Sequence, residues 1–413
     1  MLKHKIHGFL ESVNAFKLLL KQQYSSRSNK KIKVVFLAQY IPAWNKLEPI
    51  YEEMKKNVNF EVYLVCVPSG ISNNRLLDPT DTSNDTYNYY VKHGYDALNA
   101  LVGPEKWLNL RELAPDYVFH SRPYNYYMPK EYSSKEISKF SRICSILYGI
   151  NWSMDLVDTC LNKDYYRYVY CYFSESKELE IYNRHRFFLT HLLKLRKTEF
   201  FGNPAIVSIL KHKKDDELAW DFTEEDQKRV IWTPRWTPDR KAGGSNFLTY
   251  KDKLIEYSRE SRDIAFLFRP HPLTFNNFVK LGKMTDEEVI EYISDCEQLQ
   301  NVKLDVNKEY VSTLWNSDFL ISDISAILIE YFATGKPVIF CKTNMELSLT
   351  TEVKKIIESC YIVNSWQELE EQIGKLKRGE DILKEKRIQI IRDVFGDELQ
   401  KLPEKVIASL SEK

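Results

Sequence analysis

Four segments in the second half of the sequence set polar, chemistry-bearing side chains directly after short apolar runs. RVIWTPRWTPD (229–239) ends in Arg235, Trp236 and Asp239 and leads into KAGGSNF, a glycine-containing loop whose Asn246 precedes a helical pattern. IAFLFRPHP (264–272) puts Arg269 and His271 at the tip of five apolar residues. A cation there must reach water or an anion, and the two prolines hold the tip extended. NVKLDVNKEY (301–310) brings up Asp305 and Asn307, and DFLISDISAILIEY (318–331) ends in Ser322, Asp323, Ile324 and Ser325 before an apolar helical stretch. Ser and Asp cap helices well, and a helix start offers N–H groups and a positive dipole end. A phosphate fits such a place, and an ordinary helix cap fits it equally.

In the first half, His120 closes the apolar run PDYVFH (115–120), and SRPYNYYMP follows with Arg122, Tyr124, Tyr126 and Tyr127. An ordinary histidine pKa near ~6.5 suits a side chain that takes a proton from a hydroxyl at neutral pH. His120 is therefore the expected catalytic base, with His93 in VKHGYDAL behind it. The tyrosines, Tyr132 included, suit stacking on a sugar ring and suit loop packing equally.

These residues need elements to hold them. KIKVVFLAQY, a helical stretch at 47–54 and NFEVYLVCVP read as strand, helix, strand, with further apolar runs at 115–120, 143–150 and 198–206. The charged segment 216–229 interrupts the series. A second one follows in RVIWTP, IAFLFRP, NVKLDV, DFLISD, PVIFC and CYIVNS, and 366–411 is helical and rich in Glu and Lys. Strands alternating with helices, twice over, predict two parallel-sheet α/β domains facing across a cleft, with ligands at the strand carboxyl ends. The expected organisation is an N-terminal helix and linker (1–30), a first Rossmann-like domain (31–215), a second that holds the nucleotide (216–385) and a C-terminal helix (386–413). Leu2, Ile6, Phe9, Val13, Phe16 and Leu20 recur at steps of four and three, so they are expected to pack on the first domain, with an in-plane helix on anionic lipid as the alternative. The basic stretch Arg184–Lys197 reads as a solvated helix face, with membrane or polyanion contact as the lesser reading.

Composition sets the limits. The 413 residues carry 59 Lys and Arg against 58 Asp and Glu, so a global polyanion binder is excluded and no nucleic-acid partner is expected. Seven cysteines without a CxxC pair read as buried thiols of a reducing compartment, which predicts a cytoplasmic location. P-loop, GxGxxG, HExxH and GxSxG motifs are missing, as is a DxD-like motif at a strand end, so neither a cofactor nor a metal is expected.

TPRW, RPHP and SDISAILIEYFATGKPVIF, in this order and spacing, resemble the C-terminal half of the CDP-glycerol glycerophosphotransferases, a family that includes teichoic acid primases and polymerases and their capsule and lipopolysaccharide relatives. Asp323, Ser325, Glu330, Lys336 and Pro337 match its pattern, while Thr237 and Ala326 depart from it. The resemblance implies a GT-B fold and a transferase moving a glycerol-phosphate-like group from a CDP- or CMP-linked donor to a polysaccharide or lipid-linked acceptor. It implies donor-site roles for Arg235, Asn246, Arg269, His271, Ser322, Asp323 and Ser325, and places Asp305 and Glu330 at the ribose or behind the contacting groups. His271 is also carried as a catalytic candidate. Where many members have an H-G-T turn, this sequence has SILYGIN, with Tyr148 before Gly149. The alternatives are an inverting glycosyltransferase and a non-catalytic nucleotide-binding subunit of a capsule complex, and a peripheral contact with the inner membrane face is a further expectation.

Overall fold

The structure, a computed structural model, describes residues 2–23, 31–78, 83–120, 122–147, 149–211 and 218–412, the first seven of these and Leu218 by backbone alone. Tyr148 lies outside the described residues. The chain forms two α/β units: Met1–Ile150, Leu156–Ser208 and Glu398–Lys413 make the first, Asn151–Asp155 and Ile209–Asp397 the second.

The first unit is built on a parallel sheet of β1 (Ile32–Ala38), β2 (Phe60–Cys66), β3 (Ala97–Asn99), β4 (Tyr117–His120), β5 (Arg142–Ser145), β6 (Val169–Ser174) and β7 (Lys197–Phe200). Their order across the sheet is β7-β6-β5-β4-β1-β2-β3. Val34, Val35, Phe36 and Leu37 of β1 are fully buried, which explains a continuous apolar run in place of an alternating one. Two strands escape the sequence pattern, the short β3 and the tyrosine-rich β6 (VYCYFS).

Helix α1 (Leu2–Gln23) packs on this unit with its buried face turned away from part of the expected stripe: Val13 and Phe16 are half-buried, and the side chains of Leu2 and Ile6 lie outside the described ones. Ala15, Leu19 and Gln22 are buried, whereas Phe9 and Leu20 stay exposed. Gln22 donates to the carbonyls of Ser138 and Ser141, so polar anchoring sets the helix's rotation. Helices α2 (Lys177–Arg186) and α3 (Phe188–Leu192) then connect β6 to β7.

The second unit carries β8 (Lys228–Thr233), β9 (Ile264–Phe268), β10 (Val302–Leu304), β11 (Phe319–Ser322), β12 (Val338–Cys341) and β13 (Tyr361–Val363), again all parallel, in the order β10-β9-β8-β11-β12-β13. All six coincide with apolar runs in the sequence. Trp232 and Phe268 stack at 4.7 Å between centroids, and Phe247, from helix α4 (Phe247–Glu260), lies parallel to Phe268, tying β8 and β9 to the helix between them. Helix α5 (Ala326–Phe332) follows β11.

The division differs from the sequence reading in three places. The chain passes from the first unit to the second at Ser208, ahead of the charged segment. Residues 151–155 belong to the second unit, where Ser153 bridges Leu349 and Met154 N–H donates to the carbonyl of Ser348. The last sixteen residues return to the first unit, where Tyr117 donates to the carbonyl of Leu410 and Lys197 to that of Ser409.

Candidate functional site

In the second unit the chain runs outward from β8 through β9 to β10 and then returns to β11 on the other side of β8, with Thr233 opposite Ser322. Loops leaving these two strands part in opposite directions, and the opening at such a switch point is where open α/β sheets bind ligands. Arg235 leaves β8 here, Ser322 to Ser325 leave β11, and Arg269 and His271 leave β9 next door.

Arg235 is fixed on all sides. Its Nε donates to the carbonyl of Ala242 at 2.9 Å, and its guanidinium lies 4.9 Å from the Trp152 ring and 5.3 Å from the Trp236 ring. Stacked, weakly hydrated guanidinium is the form best suited to anion recognition. Gly243 permits this approach: at φ +111° it passes so close that a Cβ would stand 3.1 Å from Arg235 Nε and 3.3 Å from Trp152.

His271 lies beside this pair, its ring 6.0 Å from that of Trp236. Leu273 N–H donates to Nδ1, so the neutral ring carries its proton on Nε2 and offers a donor there. The ring reaches solvent at its edge, yet desolvation by its surroundings, and then the positive charge of Arg235, push its pKa down to about 4. His271 is thus a neutral hydrogen-bond donor at physiological pH.

Asp323 takes a different role from the expected one. It is buried, and Oδ2 accepts from the backbone N–H of Arg235 (2.8 Å) and Asn246 (3.0 Å) and from the Ser245 hydroxyl, while Oδ1 accepts from the Asn246 amide (2.9 Å). Burial raises its pKa and these bonds oppose the rise. A carboxylate consumed in this way braces the Arg235–Asn246 loop and does not meet a diphosphate. Asn246 is likewise engaged, donating to Asp323 and to the carbonyls of Cys341 and Lys342. Ser322 is fully buried and bonds to Thr233 across the strands. Of the β11 segment only Ser325 stays at the mouth, half-buried, capping α5 by accepting from Leu328 N–H.

Arg269 pairs with Asp305, donates to the carbonyl of Asn307 and stacks on Tyr310, 5.0 Å away, whose hydroxyl donates to Glu330 at 2.6 Å. Asp305 and Glu330 therefore hold Arg269 and Tyr310 in place. Lys336 holds the carbonyls of Trp315 and Ser317 and is structural. Among the described residues no three His, Cys, Asp or Glu side chains converge as a metal site.

The first unit repeats the topology, its switch point lying between β1 and β4. His120 ends β4 there, but it is buried to 1% exposure, both ring nitrogens lack a partner, and burial pushes its pKa down to about 3. Its ring packs 5.3 Å from that of Tyr165. A ring with neither surface nor basicity is not the expected base. Arg122, two residues on, does reach this opening, with its guanidinium 5.0 Å from the Tyr40 ring and 4.4 Å from that of Tyr127. Lys163 sits 4.4 Å over Tyr124. Tyr132 is buried and donates to the Leu108 carbonyl, a packing role, and His93 caps the end of its helix from an exposed position.

Residues 200–393, which hold the whole of this Arg235–His271–Ser325 arrangement, match the family described as CDP-Glycerol:Poly(glycerophosphate) glycerophosphotransferase. The match covers a little under half of the chain. A curated relative, the teichoic acid ribitol-phosphate polymerase TarK of Staphylococcus aureus, is 25% identical over 160 residues, covering 38% of this chain and 27% of the relative. The chain thus matches only about a quarter of the length of that protein. Among solved structures, the UDP-GlcNAc 2-epimerase of Neisseria meningitidis bound to UDP-GlcNAc superposes with a TM-score of 0.60 at 13% identity, covering 92% of this chain and 99% of that one. A variant of the wall teichoic acid polymerase TagF soaked with CDPG gives 0.53 at 13% identity, covering 98% of this chain and 99% of that one. At such identities the likeness is one of fold, and the fold is GT-B.

Around this site, sequence reasoning missed three participants. Trp152 is remote in sequence and joins the site only because residues 151–155 cross to the second unit. Thr343, whose hydroxyl donates to the Gly243 carbonyl at 2.7 Å, sits in a loop with no motif of its own. Tyr310 lies in the NVKLDVNKEY segment, but its bond to Glu330 needs the fold to be seen.

Proposed function

We propose that the protein transfers a glycerol-phosphate-like group from a CDP-activated donor to a hydroxyl of a teichoic-acid-type or lipid-linked acceptor. The observation that carries this reading is the Arg235 guanidinium, locked between Trp152 and Trp236 at the switch point of a unit whose sequence matches the glycerophosphotransferase family. In the proposed reaction the acceptor oxygen attacks the phosphorus bearing the glycerol unit. The bond to the bridging oxygen breaks, and CMP leaves with that oxygen and takes up the acceptor hydroxyl's proton on its phosphate. Charge grows on the departing phosphate, and Arg235, the Nε2–H of His271 and the Ser325 hydroxyl are the groups that meet it; preorganised donors of this kind are the strongest aid to such a step. Arg122 and Lys163, framed by Tyr40, Tyr124 and Tyr127, supply cations and flat faces for the phosphates and polyol units of an acceptor chain. His120 is not given the base role.

The test is incubation with CDP-glycerol and a glycerophosphate oligomer, with products followed by phosphorus NMR. CMP release with lengthening of the oligomer is expected, and it should persist in EDTA because Asp305, Asp323 and Glu330 are each held by protein donors. Release of glycerol phosphate to water alone, or transfer only from a UDP-sugar, would contradict the reading.

A further inference from the structure

One short helix, Met154–Leu161, separates a wall of the Arg235 site from a cation of the first unit. Trp152, which lies against the Arg235 guanidinium, stands just before it, and Lys163, over the Tyr124 ring, stands just after it. The leading end is stitched to the second unit. Thr350 N–H donates to the Trp152 carbonyl and Met154 N–H to that of Ser348, each at 3.1 Å, and Ser153 bridges Leu349. Ser348 N–H donates to the Asp155 carboxylate at 2.7 Å. The segment 343–350 that makes these bonds also holds the loop over Arg235. Thr343 donates to the Gly243 carbonyl, Arg240 Nε to the Asn344 carbonyl, and Glu346 N–H to the Arg240 carbonyl.

The trailing end is seated in the first unit. Val157 and Leu161 are buried, Asp158 accepts from the hydroxyl of Tyr182 on α2 at 2.7 Å, and Lys163 donates to the Cys160 sulfur at 3.5 Å. The division between the units thus falls inside the helix, after Asp155. A helix moves as one body, so a displacement at Lys163 is carried to Trp152. The indole cannot shift without consequence. Gly243 passes so close that a Cβ there would stand 3.3 Å from the Trp152 ring and 3.1 Å from Arg235 Nε, so the place of the ring sets the place of the guanidinium. A buried indole serving only to fill a core needs no such stacking on a cation.

We infer that Trp152 is a positioning residue that couples the two phosphate sites. An anionic acceptor chain held at Lys163 steadies the helix Met154–Leu161, and with it the indole that orders Arg235 for the donor. Acceptor and donor then bind cooperatively, and by linkage each raises the affinity of the other by the same factor. This coupling rests on the reading that Arg235 meets the donor phosphates and Lys163 those of the acceptor.

Calorimetric titration of CDP into the full chain, with and without a glycerophosphate oligomer, tests it. The wild type should bind CDP about fivefold tighter in the oligomer's presence. Asp155→Ala, an exposed change that loosens the hold on Ser348, should abolish most of that difference at an unchanged melting temperature. Trp152→Ala should weaken CDP binding roughly tenfold, Trp152→Phe should recover most of the loss, and Trp152→Ala should add nothing once Arg235 is replaced by Ala. Trp152 is buried, so if its Ala variant melts early the Phe and Asp155→Ala chains decide the matter. Equal or weaker CDP affinity of the wild type with the oligomer, or additive losses in the double variant, would overturn the coupling and leave the donor reading in place. A wild type that binds no CDP would overturn that reading, and the coupling with it.

Discussion

A guanidinium pinned between two indoles is positioned by shape as much as by charge. Arg235 illustrates this, for Lys at the same place would keep the charge and lose both stacked faces and the bond to Ala242. Arg235→Lys should therefore weaken CDP binding by about tenfold, near 1.4 kcal/mol, with little change in melting temperature. Asp323 makes the opposite case. Its four donors cannot all be met by an amide, so Asp323→Asn should cost about 1–3 kcal/mol of stability, read by chemical denaturation. At this scale the sequence shows which residues gather but not which way they face. Arg235, His271 and Ser325 are legible as polar ends of apolar runs, and they do lie at the mouth. Ser322 and Asp323 have the same signature yet point inward, because their register partners and the loop after β8 claim their oxygens.

The element that matters most is the loop from Arg235 to Asn246. It is folded over Arg235 by Asp323, closed by Thr343 and given its close approach by Gly243. Gly243→Ala would force a side chain into positive φ and against Arg235 Nε. It should cost about 1–3 kcal/mol and weaken nucleotide binding along with stability, whereas the same change at Gly282, where nothing lies within 4 Å, should spare binding. The six strands of the second unit were legible because buried parallel strands are continuous apolar runs. β6 was not, because VYCYFS reads as loop until its neighbours bury it. The stripe on α1 misled for a related reason: its spacing identified a helix, but Gln22 and Glu11 determine which face turns inward.

For the molecule as a whole, pH is the informative variable. His120 binds a proton near ~6.5 when unfolded and only near 3 when folded, so the unfolded state holds more protons between these values. Its stabilising contribution is complete above pH ~6.5 and is lost as pH falls toward 3, by up to about 1.4 kcal/mol per pH unit. His191, held near 4 mainly by burial, acts in the same direction. His120→Leu should flatten the acid limb of the stability curve, measured by melting from pH 7.5 to 5, and leave turnover at neutral pH within a few-fold. A specific loss of kcat in that variant with unchanged stability would restore His120 as a catalytic group. The two-unit architecture follows directly from two series of apolar runs, but the return of the last sixteen residues to the first unit does not, since helices rich in Glu and Lys carry no address.

The central claim is that the switch point of the second unit holds the phosphates of a cytidine nucleotide. The most direct measurement is calorimetric titration of CDP and of UDP into the wild-type chain and into His271→Ala. Tighter binding of CDP than of UDP, with roughly tenfold loss in the variant from one missing donor, is the expected result. Equal affinity for the two nucleotides, or a His271→Ala chain that binds CDP as the wild type does, would contradict it.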